Sequence, residues 1–297
     1  MSDSAAEGKF VKKQKGSAKE TIIVVIEALI LALVIRTFLF QPFTIPSGSM
    51  RPTLYVGDYL LTAKYAYGYS HFSIPLSPDL FSGRIWGAEP KRGDIAVFRN
   101  PNDNKTDFIK RVVGLPGDRL QMQNGVLYIN DKAVPRVKIG ETTNIDAIGC
   151  IPPDPTGRTI LLTAPPAGVG EKCNIQAGQH LFDPQQDHPV AVYRETLPNG
   201  VSYNSFDIYP MGYLDNTCVF EVPQGYYFMM GDNRDNSDDS RASVGYVPAE
   251  NLVGRANLIF FSIADEKPAW QIWQWPAHVR WSRLFSFVWT IKNVPEK

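Results

Sequence analysis

Histidine is scarce in this chain, with four in 297 residues: His71, His180, His188 and His278. None lies in a recognisable catalytic or metal-binding motif, and no serine occupies a G-x-S-x-G elbow. Triad members are brought together by the fold and not by sequence order, so a Ser-His-Asp site stays open at this point, though disfavoured. Cysteine is equally sparse. Cys150, Cys173 and Cys218 stand too far apart for any zinc spacing, which leaves one disulfide with a thiol over, or three unpaired thiols. An excess of one charge is missing too: 30 basic side chains balance 30 acidic ones, so nucleic acid is not an indicated partner. The acidic run "GDNRDNSDDSR" (231–241) lacks the glycine and the terminal glutamate of an EF-hand, and calcium is not expected there. No internal repeat is visible.

Against these absences stands one long apolar run. Residues 21–40 read "TIIVVIEALILALVIRTFLF", broken only by Glu27 and Arg36. About 20 helical residues at 1.5 Å each cross roughly 30 Å, the thickness of a hydrocarbon core. Lys9, Lys12, Lys13, Lys15 and Lys19 precede the run, and the next basic residue after it is Arg51. That asymmetry directs the N-terminus to the cytoplasm and the body across the membrane. A cleaved signal peptide would end in a small-x-small site; here bulky Phe38, Leu39, Phe40 and Phe43 follow, so an uncleaved anchor is expected. Glu27 near mid-membrane is costly and has no account from sequence.

Beyond the anchor, 23 glycines and 23 prolines punctuate short β-branched and aromatic runs. "GDIAVF" (93–98), "FIKRVVG" (108–114), "RLQM" (119–122), "VLYI" (126–129) and "GYYFMMG" (225–231) read as strands. Pro116–Gly117 suits a type II turn; Asn124–Gly125 and Asn199–Gly200 signal hairpins. The expected fold is mainly β: an N-terminal transmembrane helix, then an antiparallel β-sheet body with an inserted β subdomain. The expected divisions are a basic N-terminus (1–20), the anchor (21–40), a first part of the β core (41–130), an insert or long loops (131–220), a second part of the core (221–269) and a tail (270–297). That tail holds Trp270, Trp273, Trp275, Trp281 and Trp289, which suit either a lipid headgroup layer or a cover over the β core.

Two serines sit just past the anchor, in "PSGSM" (46–50). A serine becomes a nucleophile only beside a base, and with histidine so scarce a desolvated lysine is the other candidate. Burial disfavours the ammonium and lowers a lysine pKa by up to roughly 3–5 units. Strand alternation puts Phe108, Lys110 and Val112 on one face of "FIKRVVG" and Ile109, Arg111 and Val113 on the other. Lys110 thus stands between two apolar neighbours. Alternation alone is also what an ordinary edge-strand lysine would show.

Taken together, four stretches resemble the boxes of the bacterial type I signal peptidases, in family order and behind an anchor of that family's type. They are "PSGSMRPTL" (46–54), "KRGDIAVFRNP" (91–101), "DFIKRVVGLPGDRL" (107–120), and "GDNRDNSDDSR" (231–241) with "GYVPAENLVGRA" (245–256). The resemblance implies Ser49 as nucleophile, Lys110 as general base, and Ser47 with the Ser49 backbone N–H as oxyanion donors. It implies that Ser237 holds the Lys110 amine, that Asp239 and Arg241 form an ion pair bracing the loop, and that Arg111 supports them. Phe43, Ile45, Leu54, Val97 and Ile109 become the lining of shallow pockets for an Ala-x-Ala-type motif. The structural alternative for those five is core packing. One departure stands out: Ala242, Ser243 and Val244 follow Arg241 where relatives tend to carry aromatics. The implied partners are preprotein signal peptides, the bilayer and the protein-export machinery. No cofactor or metal is implied, and the body is placed on the periplasmic side of the bacterial inner membrane. The nearest enzyme rival is another Ser/Lys hydrolase with a similar core, such as the self-cleaving repressors, which are soluble and carry a DNA-binding module missing here. A rival of another class is an anchored β-rich protein that binds signal peptides without cutting them; it would not need both Ser49 and Lys110.

Overall fold

The computed structural model describes residues 18–75, 77–142, 189–209, 212, 214–264 and 270–290. Helix α1 (Ala18–Val34) runs into a π-helical turn, Ile35–Leu39. Together they form one apolar helix of 22 residues, about 33 Å long at 1.5 Å per residue. Its side chains are exposed, Glu27 among them, as expected of an element whose apolar surface meets lipid and not a protein core.

No linker separates helix from sheet. Strand β1 (Phe40–Thr44) starts where the helix ends, followed by β2 (Asp58–Ala63), β3 (Ile95–Arg99), β4 (Asp107–Gly114), β5 (Arg119–Gln123), β6 (Val126–Ile129), β7 (Lys132–Ala133) and β8 (Arg136–Thr142). After the gap come β9 (Val190–Thr196), β10 (Ser202–Asp207), β11 (Phe220–Glu221), β12 (Tyr226–Met230), β13 (Val247–Pro248), β14 (Leu252–Ser262) and β15 (Ser286–Phe287). The main antiparallel sheet has the order β1-β2-β14-β3-β4-β12-β13, with β15 added to β14. Strands β10-β9-β8 and β11-β5-β6-β7 make two smaller sheets. The chain is mainly β, as its turn-rich composition predicts.

Local chemistry explains the turns. Asn124 and Gly125 both take positive φ (50° and 74°), the type I′ geometry that matches strand twist between β5 and β6. At Asn199–Gly200 the hairpin forms, but with a wider turn. Gly200 N–H bonds Leu197 O and Leu197 N–H bonds Val201 O, so only Gly200 is left-handed (φ 84°). Pro198 explains the difference, because its φ near −65° suits the first central position of a type I turn and forbids I′.

The C-terminal segment divides by residue type. Val279 and Val288 are buried, and Trp275 packs its ring 4.9 Å from Phe261. Trp270, Trp273, Trp281 and Trp289 remain exposed, so most of the tail's tryptophans do not cover the β core. An ion pair ties the segment down: Arg283 Nη2 and Nε reach Asp58 Oδ2 and Oδ1 at 2.5 and 3.1 Å. The same carboxylate accepts from Ser262 Oγ at 2.6 Å and from Tyr55 N–H at 2.8 Å. Arg283→Ala strands a carboxylate that has no exposure, and the expected loss of stability is about 3–5 kcal/mol. Chemical denaturation of the two proteins checks it.

Candidate active site

Strand β4 is central, paired with β3 on one side and β12 on the other. Its alternation holds. Phe108 and Val112 join one apolar cluster, while Ile109 faces others around Ile95 and Val97. Lys110 lies on the first face and stands opposite Ala96, a small residue with no exposure. Lys110 itself is buried, and burial brings its pKa down to about 8 against the pull of Asp239, Asp238 and Asp232. Its Nζ donates to Ser49 Oγ at 2.6 Å. Ser49, the second serine of "PSGSM", is buried in a 3-10 turn, Gly48–Met50. Ser47 is exposed at the mouth, its hydroxyl 3.4 Å from that of Ser49.

The two hydroxyls meet for a reason other than strand alternation. Only Ser47 is extended (φ −135°, ψ 156°); the 3-10 turn begins at the next residue and curls Ser49 back toward it. Loop 231–241 holds this turn from below. Asn233 N–H bonds Ser49 O at 3.1 Å, and Asn233 Nδ2 bonds Gly48 O at 3.2 Å. Sequence reasoning missed Asn233; its place between Asp232 and Arg234 in an apparently solvated loop carried no sign of a turn-clamping role.

The loop is largely buried, and two of its acids are held by guanidinium groups. Arg241 meets both oxygens of Asp239, at 3.0 and 2.8 Å, and Asp239 Oδ2 accepts Gly231 N–H at 2.9 Å. Burial pushes the Asp239 carboxyl up, but Arg241 and these hydrogen bonds outweigh it and the net shift is downward. Arg111, on the opposite face of β4 from Lys110, grips Asp232 through Nε at 2.7 Å and Nη2 at 2.6 Å. Its guanidinium lies 4.1 Å from the Tyr203 ring centre, and Thr53 Oγ1 donates to the same carboxylate. A second buried pair continues the array, Arg234 with Glu195 at 2.5 Å. Asp232, Thr53, Arg234 and Glu195 are further residues that sequence alone did not single out. Ala242 and Val244 are buried behind the loop, so small side chains fill the place of the aromatics expected from relatives.

Ser237 differs from its expected role. Among the described residues its buried Oγ has no hydrogen-bond partner, so it does not hold the Lys110 amine. The reason is its seat against Gly231. A Cβ at Gly231 would lie 2.2 Å from Ser237 Oγ and 2.6 Å from Ser49 O.

Phe43, Ile45, Leu54, Val97 and Ile109 do come together, in two adjoining apolar clusters beside this turn, with Phe43 and Ile109 only partly buried. Of the histidines, His180 and His188 lie outside the described residues, as do Cys150 and Cys173. Cys218 is disulfide-bonded. A hydroxyl in contact with a desolvated amine, a second hydroxyl alongside and an apolar recess are parts suited to acyl transfer by a serine with no histidine.

Comparisons with known proteins return signal peptidases. The family model described as "Signal peptidase, peptidase S26" matches residues 18–261. The "Signal peptidase I" of Rickettsia prowazekii is 35% identical over 97% of this chain and 98% of its own length. That of Rickettsia typhi is 36% identical over the same shares, and that of Rickettsia akari 40% identical over 78% of this chain and 75% of its own. A solved signal peptidase I from Enterococcus faecalis superimposes with a TM-score of 0.26 at 21% identity, covering 57% of this chain and 97% of that one.

The fit between Gly231, Ser237 and Ser49 O leaves no room for a methyl group. Gly231→Ala must displace the serine turn, and a shift of about 1 Å costs on the order of a hundredfold in rate. Phosphonylation of Ser49 by a fluorophosphonate probe, with loss of fluoride, compared between wild type and variant, reads this directly.

Proposed function

The chain belongs to the signal peptidase family, peptidase S26, and on that premise we propose that it cuts signal peptides from exported preproteins with Ser49 as nucleophile and Lys110 as general base. The 2.6 Å contact between the Lys110 amine and the Ser49 hydroxyl carries the reading. As the free amine, Lys110 accepts the hydroxyl proton while Oγ attacks the scissile carbonyl. Ser47 Oγ and the Ser49 backbone N–H steady the oxyanion, a role worth about 2.7–4 kcal/mol per donor. The ammonium then protonates the leaving amine, and the restored amine activates water to release the acyl group. Arg111, Asp239 and Arg241 act by holding the loop and the charges around that amine.

Substrate placement follows from the sheet. Strand β1 ends the strand order, with β2 on its inner side, so an extended peptide can pair along its outer edge toward Ser47. Such pairing is indifferent to sequence; selection of Ala-x-Ala-type sites falls to the recess of Phe43, Ile45, Leu54, Val97 and Ile109. The anchor continues directly into this edge strand, which sets the cut at a constant height above the bilayer. Exposed Trp270, Trp273, Trp281 and Trp289 add an amphipathic surface for the headgroup layer. The lysine-rich N-terminus lies in the cytoplasm and the body on the periplasmic side, where a disulfide at Cys218 is chemically at home. The export machinery is the natural source of the substrate.

Wild type shortens a model preprotein, whereas Ser49→Ala and Lys110→Ala, checked for folding by cooperative melting, yield no shortened product. Turnover by either variant at a sizeable fraction of the wild-type rate rejects the assignment. The rate should also climb with pH through about 8 as Lys110 loses its proton. Exposed Asp238 favours the ammonium, so Asp238→Asn makes that proton easier to lose and moves the acidic limb of the pH–rate profile to lower pH. A limb that stays put, or moves upward, contradicts Lys110 as base.

A further inference from the structure

The apolar side chains beside Ser49 fall into two contact clusters, hereafter compartments. Ile45 and Leu54 belong to a cluster with Met50 and Ile95, next to the nucleophile's own turn. Val97 and Phe43 belong to another, and its remaining buried members are Val253 and Phe72. Ile109 packs against both and stands between them as a ridge. Because β1 runs toward Ser49, the compartment at Phe43 is the farther one.

Phe72 is foreign to this sheet. It rides on a 3-10 turn, His71–Ser73, in the connection between β2 and β3, so no strand register holds it over Val97. Its turn is held by other means. Lys64 Nζ donates to Ser73 O at 2.6 Å, from a lysine that is 1% exposed. Ser70 N–H donates to Ser73 Oγ at 3.2 Å, and Ser73 N–H returns to Ser70 O at 2.9 Å. On the outer side His71 Nδ1 lies 3.2 Å from Glu250 Oε1, and its ring centre is 3.8 Å from that of Phe72. Burying a lysine is costly, and burial brings this one down to about 8, with Arg36 adding to the shift. That cost is spent on immobilising one turn, and the side chain so immobilised packs with Val97 and Val253 against the partly buried Phe43 and Ile109.

We infer that Phe72 is a specificity-determining residue: it floors the compartment farther from Ser49 and limits the side chain accepted there to a small one. The inference rests on the signal-peptidase reading above. In a motif with small residues at its last and third-last positions before the cut, the near compartment takes the last residue and the Phe72 compartment the third-last. Removing the ring should relax one position and leave the other strict.

The test measures kcat/KM for model preproteins carrying Ala, Val, Leu or Phe at the third-last position, and the same set at the last. In Phe72→Ala the ratio of Leu to Ala at the third-last position rises by about tenfold or more, the scale on which apolar pockets discriminate methylenes. The last position keeps its wild-type ratios. Phe72→Leu, which keeps an apolar filler in the core, gives a smaller rise at the same position and decides the matter if Phe72→Ala does not fold. Unchanged third-last ratios in a folded variant that still cleaves Ala-x-Ala overturn the inference, as does equal relaxation at both positions. Wild type that leaves the Ala-x-Ala preprotein uncut sinks the underlying reading instead.

Discussion

A lysine surrounded by carboxylates ordinarily keeps its proton, and at Lys110 burial works against that hold. Asp232, Asp238 and Asp239 all favour the ammonium, yet burial prevails. The two buried carboxylates are each held by a guanidinium, Asp239 by Arg241 and Asp232 by Arg111. Their charge is largely spent on those pairs before it reaches the amine. Asp238, exposed and held by no guanidinium, pulls on the ammonium as well. The paired acids and arginines therefore make a close-packed wall, and desolvation outweighs its residual pull on Lys110.

The same wall supports the nucleophile mechanically. Asn233 holds the Gly48–Met50 turn through two backbone carbonyls, and Gly231 lets Ser237 and Ser49 O approach a single α-carbon. Strand β4 supplies the amine from above and, one residue on, the arginine that secures the wall. A half-turn of β4 would exchange the two and destroy both functions. On the membrane side, helix, edge strand and serine turn follow one another without a flexible joint. Tyr69 reinforces the junction, its hydroxyl donating to Phe38 O at 2.7 Å. Bilayer depth and catalytic position are thereby mechanically coupled.

Legibility from sequence followed the range of the interaction responsible. The anchor, the strand at 108–114, the Asn124–Gly125 turn and the alternation of Lys110 against Arg111 depend on contacts within a few residues, and all read correctly. The pairing of Ser47 with Ser49 rests on a 3-10 turn beginning at Gly48, which the motif alone did not specify. Ser237 was expected on Lys110 and packs on Gly231 instead; short polar side chains in a dense loop have several neighbours within reach, and periodicity does not choose among them. Asn233, Asp232 with Thr53, and Glu195 with Arg234 gave no local signal, since each partner is far away along the chain or looks like loop decoration.

What the sequence by itself determined is an apolar helix of membrane length, a β body, and a serine and a lysine in stretches matching one family. Those properties come from composition, period and motif, which are local. Only the tertiary structure decided that the lysine is dry, that Asp232 and Asp239 near it are held by guanidinium groups, and that Phe72 from a remote loop packs onto Val97. Desolvation and charge pairing are sums over everything that packs around an atom, and that surrounding set exists only once the chain has folded.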